Sequence, residues 1–293
     1  FQDLSFHLDI PTEKYGNFTV FGIGGINNVN EGDSTYVSDF GGGMGVLGLT
    51  NTFFINEKTY VKTVLAATGT NNHWEYRESD ADNRDHYSLK DREDFIYLNT
   101  RESISLNKKI NSRHFIQAGF IHSRLRYDLF TDYWNKEEGV MVIDENGGTD
   151  QLQSYISWKY RINDRLTLYP GIHFIQLQLN QNNSLEPRLG MKYKLNEKHS
   201  VNAGFGVHSR VETVSNYLAT AYTDEGLAVK NNKNLDFGKA RHYVLGHEVM
   251  LRNDLILKTE LYYQQLYNVP IEDSINSSFS ILNFSSGYTT LPL

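Results

Sequence analysis

Apolar and polar residues alternate with a period of two along much of this chain. Leu4, Phe6, Leu8 and Ile10 interleave with Asp3, Ser5, His7 and Asp9, and Leu152, Ile156, Trp158, Tyr160 and Ile162 interleave with Gln153, Ser157, Lys159 and Arg161. Pro187, Leu189, Met191, Tyr193 and Leu195 oppose Arg188, Gly190, Lys192 and Lys194 in the same way. So do Val201, Ala203, Phe205, Val207 and Val211 against Asn202, Gly204, Gly206, His208 and Arg210. Successive side chains of a strand point to opposite faces, so each set occupies its own face of a β-strand. We count about twelve such strands of roughly ten residues or more, a length that crosses a bilayer when tilted.

The connections alternate as well. Short turns fall at Pro11–Gly16, Asn56–Lys58, Asn107–Arg113, Asn163–Asp164, Asn196–Lys198 and Asn253–Asp254, where Asn and Asp suit tight turns. Between them run longer polar stretches at Asn30–Gly42, Asn71–Asp94, Thr131–Thr149, Thr213–Lys239 and Asn268–Ser278, with only Asn180–Ser184 brief. Short turns on one rim and long loops on the other predict an all-β, antiparallel transmembrane β-barrel with periplasmic turns and extracellular loops. Soluble sandwich strands are shorter, about 5–6 residues at the mode, and no fixed-period propeller repeat is present. The 19 Tyr and 16 Phe suit strands and interfacial belts, and the absence of Cys excludes disulfides and thiolate metal sites. No run approaches the ~20 apolar residues of a membrane helix, and alternation explains why a barrel needs none. A net charge of -7 with no long basic run argues against nucleic acid as a partner.

With short turns periplasmic, Leu4–Ile10 descends. Even strand numbers in single-chain barrels then require an ascending strand before it. At the other end Ser286–Leu293 reads as loop and has no aromatic-ended closing strand. The expectation is a partial barrel over residues 1–293, with both barrel ends outside it.

Three segments carry a family resemblance: LEPRLGMKYKLNEKHSVNAGFGVHSR (Leu185–Arg210), NKNLDFGKARHYVLGHE (Asn232–Glu248) and YYQQLYNVPIED (Tyr262–Asp273). With them the chain resembles, over essentially its whole length, the barrel of TonB-dependent outer-membrane receptors of Bacteroidetes. These are the members that often carry an N-terminal carboxypeptidase-regulatory-like domain. The resemblance implies a 22-stranded barrel in the bacterial outer membrane, occluded by an N-terminal plug and driven through a TonB box. It implies energised uptake of a scarce external ligand, such as a siderophore, metal chelate, glycan or peptide. Its partners would be outer-membrane lipid, the plug and TonB. The sequence contains neither plug nor TonB box, and roughly half of such a barrel is present. A passive porin and, less favoured, an outer-membrane enzyme are the rival functions.

Alternation assigns His173, Arg188, Lys192, Asn202, His208, Arg210, Glu212, His242 and Glu248 to the lumen, where they either touch a plug, line a path or simply face water. Gly171, Gly190, Gly204, Gly206 and Gly246 point inward on the same register, from four successive strands. They form either a smooth seat for a plug or a means of relieving sheet curvature. Trp74, Tyr76, Tyr133, Trp134, Tyr217 and Tyr222 fall in the long loops, where aromatics stack on a ligand or pack within the loop. Trp158, Tyr160 and Tyr193, near strand ends, match an interfacial girdle.

No cofactor, metal or catalytic residue is assigned. HExxH and GxSxG are absent, and His242 and His247, five apart, face opposite sides of a strand. Asp80, Asp82 and Asp85 in ESDADNRDHY space carboxylates as calcium sites do but lack the glycine of an EF-hand loop. Two register expectations follow. Leu189, Met191, Val201, Ala203, Phe205 and Val207 face lipid. The apolar parity also switches from Leu166, Leu168, Ile172 and Phe174 to Ile175, Leu177 and Leu179, which predicts a β-bulge at Phe174–Ile175.

Overall fold

The computed structural model describes residues 1–79, 87–135, 138–222, 225–272, 277–283 and 293. Ten strands follow in order: β1 (Gln2–Thr12), β2 (Gly16–Gly32), β3 (Tyr36–Asn56), β4 (Thr59–Ser79), β5 (Tyr87–Lys109), β6 (His114–Asn135), β7 (Glu138–Arg161), β8 (Leu166–Leu177), β9 (Asn183–Lys194) and β10 (His199–Arg210). A long connection then holds one helical turn, α1 (Val214–Leu218), and a two-residue hairpin of β11 (Ala221–Tyr222) with β12 (Ala228–Val229). Strands β13 (Gly238–Arg252) and β14 (Leu255–Tyr267) follow. Twelve strands form one sheet in chain order, β1 to β10 and then β13 and β14, and every neighbouring pair is antiparallel.

Directly opposed residues of an antiparallel pair share a face, so the register carries one assignment across the whole sheet. Phe205 opposes Leu189 on β9 and Tyr243 on β13, and Asn202 opposes Lys192 and Gly246. The first face presents Leu4, Leu47, Ile104, Ile156, Leu185, Leu245 and Leu261, all at least 47% exposed. An apolar face of that extent is not a water-facing surface; it fits hydrocarbon. The second face is polar and is covered in part by the 213–237 connection, so it is the inner one.

The turns are built by asparagine. Asn111 Oδ1 accepts from the backbone N–H groups of Arg113 and His114 at 2.8 and 3.0 Å. Asn163 and Asn196 do the same for the residues two and three positions on, at 2.8–2.9 Å. Gly16 closes the first turn with φ +82°, where a Cβ would meet the Thr52 carbonyl oxygen at 2.2 Å. Near the turn ends, the rings of His114, Trp158 and Tyr160 stack on the outward face with centroids 4.7–5.5 Å apart. Tyr193 also faces outward, opposite Val201.

Two expectations are corrected. Asn30–Gly42 is not a long loop: β2 and β3 run on to a three-residue turn at positions 33–35. Most of the described part of Asn71–Asp94 and of Thr131–Thr149 is likewise paired strand. Beyond the bilayer both faces are wet, so apolar alternation stops, while the backbone still gains by pairing. Among the described residues the longest departure from the sheet is the connection between β10 and β13.

The bulge at Phe174–Ile175 is also absent. Phe174 opposes Ser154 and Leu185, and Ile175 opposes Gln153 and Ser184, in unbroken register. Ile175 and Leu177 therefore point inward, where they are 6% and 3% exposed against apolar residues of the connection. Their parity changes because their covering changes from lipid to protein. The ladder is interrupted instead at Tyr169 and Pro170, which skip pairing with β7, as a proline without an N–H requires. Real register shifts occur at Phe54/Asn56, Tyr76/Arg77, Thr131/Asp132 and Met250/Arg252.

The faces can be tested by placing a cation on each. Phe205→Arg should cost about 2–4 kcal/mol of folding free energy in lipid if the site lies mid-membrane. Asn202→Arg, on the inner face, should cost far less. Urea-driven unfolding from lipid vesicles measures both, and equal costs would reverse the assignment.

Candidate functional site on the inner wall

His173, Arg188, Lys192, Asn202, His208, Arg210, His242 and Glu248 all share the inner face by register, and Glu212 follows β10 at the start of the connection. The structure groups them in two clusters. In the upper one Glu186, 2% exposed, is the hub. His173 Nδ1 lies 2.9 Å from its Oε2, Arg188 donates to the same oxygen at 2.8 Å, and the Ser209 N–H donates to Oε1 at 2.9 Å. His173 Nε2 reaches Gln153 Oε1 at 3.1 Å, and the rings of His208 and His242 lie 4.7 Å apart. In the lower cluster Glu248 accepts from Lys192 at 2.9 Å, from Ser200 and Asn202 at 3.3 Å, and pairs with Lys258 at 3.5 Å. A paired wall of this kind stays rigid while exposing little unbalanced charge.

Glu186 was not singled out by sequence, although it shares the parity of Arg188. Parity marks a face but does not mark which carboxylate three strands converge on. His247 lies on the outward face, its Nε2 3.1 Å from His199 Nδ1. Among the described residues no group of three His, Asp or Glu side chains is placed to hold a metal. The Asp80–Asp85 segment lies outside the described residues.

The inward glycines differ in their surroundings. A Cβ on Gly206 would meet the His208 ring at 2.8 Å, so that imidazole occupies the place of the missing side chain. Gly190 is overlain by Tyr169 and Gly171 lies against the Ile156 carbonyl, whereas Gly204 and Gly246 have nothing nearer than 3.9 and 3.5 Å.

The aromatics expected in loops are mostly on strands. Trp74 and Tyr76 sit on β4 and Tyr133 and Trp134 on β6. Trp74, Tyr76 and Tyr36 form a stacked ladder with centroids 6.0–6.3 Å apart, and Trp74 Nε1 donates to Ser38 Oγ at 3.0 Å. The side chain of Trp134 lies outside the described residues. Tyr133 and Tyr222 are 42% and 48% exposed. Tyr217 is the opposite of an exposed ligand contact: it is wholly buried on α1.

Tyr217 belongs to a small apolar core inside the wall. Val214, Tyr217, Leu218, Ala219 and Phe237 of the connection pack on Phe95, Tyr127, Leu129, Val142, Ile143, Ile175 and Leu177 of β5–β8. Val142 is the extra residue of the β7 shift opposite Thr131/Asp132, and its carbonyl accepts from Thr220 N at 2.8 Å. Lys230 pairs with Glu145 on β7. Asn180 and Asn182 donate to backbone carbonyls of Lys233 and Leu235 at 2.8–3.3 Å, and Asn268 donates to the Phe237 carbonyl at 2.7 Å. The connection is thus folded onto the inner wall. Burial pushes the Tyr217 hydroxyl up to about 12 and raises the Glu212 carboxyl, with Arg210 opposing the latter.

No family model and no curated protein matches the chain. Solved structures do. The chain is similar to the closed form of the ferric-catecholate import receptor Fiu of E. coli K12 (10% identity, TM-score 0.67), covering 95% of this chain and 52% of that one. It is similar to the copper transporter OprC (11%, 0.62), covering 91% and 46%. It is similar also to the ferric yersiniabactin uptake receptor FyuA of Yersinia pestis (10%, 0.61), covering 91% and 42%. At these identities the likeness shows the fold: the sheet has the form of an outer-membrane receptor barrel wall. The chain spans about half the length of the structures it matches.

Phe237→Ala should unseat the connection while leaving the twelve-strand sheet intact, since emptying a buried phenylalanine site costs about 3–5 kcal/mol. Hydrogen exchange over residues 213–237 is expected to rise while that of β5–β8 stays slow. Unchanged protection of 213–237 would show that the core does not hold it.

Proposed function

We propose that this chain is barrel wall of a TonB-dependent outer-membrane receptor that binds a scarce external ligand and admits it with energy from the inner membrane. The observation that carries the reading is the match of 95% of the chain to an import-receptor barrel, joined to an apolar outward face. On this reading residues 1–293 supply about half of the barrel. The rest closes the edges at β1 and β14, which a bilayer does not tolerate unpaired. A plug domain and TonB are its partners, and the bacterial outer membrane is its location. The Bacteroidetes subtype, with its carboxypeptidase-regulatory-like domain, rests on the three sequence segments from Leu185 onward.

On the inner surface the carboxylates of Glu186 and Glu248 are each neutralised by nearby cations. The Trp74, Tyr76 and Tyr36 ladder offers ring faces at the external end for ligand capture. The remaining lumen residues position the wall, and the open glycine at Gly204 is proposed to seat the plug.

Growth of cells expressing the intact protein on a limiting ferric catecholate, ferric citrate, copper, glycan or peptide source tests this. Growth on one source should require the protein and should fail equally when TonB is deleted. Undiminished growth without TonB would make the protein a passive porin.

A further inference from the structure

Cations gather on the inner face where β5, β6 and β7 reach their turns. A cavity of about 520 Å3 is lined there by Lys109 at the end of β5, Arg113 just ahead of β6, and Lys159 and Arg161 at the end of β7. Trp158 and Tyr160 stack on the outward face, so Lys159 and Arg161, which alternate with them, point inward. Arg113 and Arg161 are directly opposed, the Arg161 N–H donating to the Arg113 carbonyl at 2.8 Å. Lys109 and Lys159 stand on either side of Phe115, which opposes both. Strand spacing and rise place the four cations within a patch of about 10 Å by 7 Å.

The charge of this patch is unbalanced. All four side chains are exposed, and no carboxylate lines the cavity. Among the described residues none of the four is held in an ion pair, and Lys159 has only the Tyr169 ring, 5.9 Å from its Nζ. Like charges directly opposite one another on neighbouring strands destabilise a sheet. Salt screens them only in part at this spacing, because the Debye length is about 8 Å at physiological ionic strength. Glutamine or serine would suit a wet face without that cost, so the juxtaposition points to an anion among the four. The cavity at the β9–β10 turn differs: Lys192 is already held there by Glu248 at 2.9 Å, and Glu197 lines it as well.

The lining also limits which anion fits. Arginine and lysine offer donors and no acceptor, and Ser112 adds a hydroxyl. Asn111 commits its Oδ1 to the backbone N–H groups of Arg113 and His114, which leaves its amide N–H groups to donate. A lone carboxylate, or the phosphodiester of a lipid headgroup, brings a single charge and leaves most of the patch unbalanced. Two linked phosphoryl groups carry about three negative charges and present tetrahedral oxygens to the forked arginine donors. The cavity equals the share of about seventeen waters in the liquid, more than a pyrophosphate group fills. The Phe115 ring in its lining offers an apolar surface to the organic part of an ester.

We infer that this cavity binds a pyrophosphate group, free or as the diphosphate end of an organic ester. The inference goes beyond the receptor reading and does not depend on it: the site stands on the inner face of the wall whether the intact barrel is a receptor or a pore.

Binding is measured by calorimetry on the purified intact protein in phosphatidylcholine nanodiscs, with no TonB present. The probes are inorganic pyrophosphate, ADP, sulfate and citrate. Pyrophosphate or ADP should bind, less tightly as sodium chloride is raised, and sulfate and citrate should bind more weakly. Arg161→Gln should weaken binding roughly tenfold or more, the value of one charge-assisted hydrogen bond. Lys159→Gln should act in the same direction, and Lys14→Gln, in the β1–β2 turn, should leave binding unchanged. Tighter binding of ADP than of pyrophosphate would assign the ester, and the reverse the free anion. Gel mobility before and after heating reports barrel folding, and Arg113→Gln serves if either first variant misfolds. The inference is overturned if neither pyrophosphate nor ADP binds, if the folded variants bind as wild type does, or if sulfate or citrate binds as tightly. It is overturned also if phosphatidylglycerol in the nanodiscs blocks the site, which would assign the patch to a lipid headgroup. Loss of TonB-dependent growth with pyrophosphate binding intact would count against the receptor reading alone.

Discussion

Everything in this structure depends on the pairing of backbone N–H and C=O groups between neighbouring strands. In hydrocarbon no water is available to an unpaired peptide group, and each costs several kcal/mol. A chain without long apolar helices meets that demand with an antiparallel ladder, and all twelve strands here are joined in one. Once the ladder is fixed, each side chain has only two directions. The apolar set must take the lipid side together, because a slip of one residue would turn every strand over. The same demand falls on the two edges of the sheet: among the described residues β1 pairs with β2 alone and β14 with β13 alone.

The inner side is under a different constraint. Facing water, it has no need of apolar residues, yet Leu129, Ile143, Ile175 and Leu177 are there and buried. They are explained by the 213–237 connection, which brings Val214, Tyr217, Leu218 and Phe237 as a complementary surface. A small soluble-type core is thereby built inside a membrane wall. The asparagine clamps at Asn180 and Asn182 add backbone hydrogen bonds to it, so the position of the connection is fixed by polar and apolar contacts together.

The parts legible in the sequence were those set by a single environment. Period-two alternation sorted the side chains of β9 and β10 onto two faces, and asparagine located the turns, because each residue's own chemistry decides the matter locally. The parts that were not legible depend on what lies opposite. Ile175 and Leu177 broke parity because protein, not lipid, covers them, and a bulge was the only explanation available from one strand. The upper hairpins looked like loops because pairing outside the bilayer leaves no apolar trace. Glu186 shares its face with many polar residues, and its convergence with His173, Arg188 and Ser209 exists only across strands.

The inward glycines bring the two kinds of constraint together. Sequence offered for five of them either a smooth seat for a plug or relief of sheet curvature, and the structure divides them by what lies over each. At Gly206 the His208 ring fills the space, which also lets that ring approach His242. A side chain there would displace an imidazole of the upper cluster, so this glycine is explained within the wall itself. At Gly204 the nearest atom to a Cβ is Val244 Cβ at 3.9 Å, and no neighbouring side chain lies over it. A strand glycine without a local reason is weaker than alanine for nothing, unless a backbone or another domain approaches it. On the proposed receptor reading, a plug would meet this wall at the strip around Gly204, between the histidine pair above it and the Glu248 cluster below.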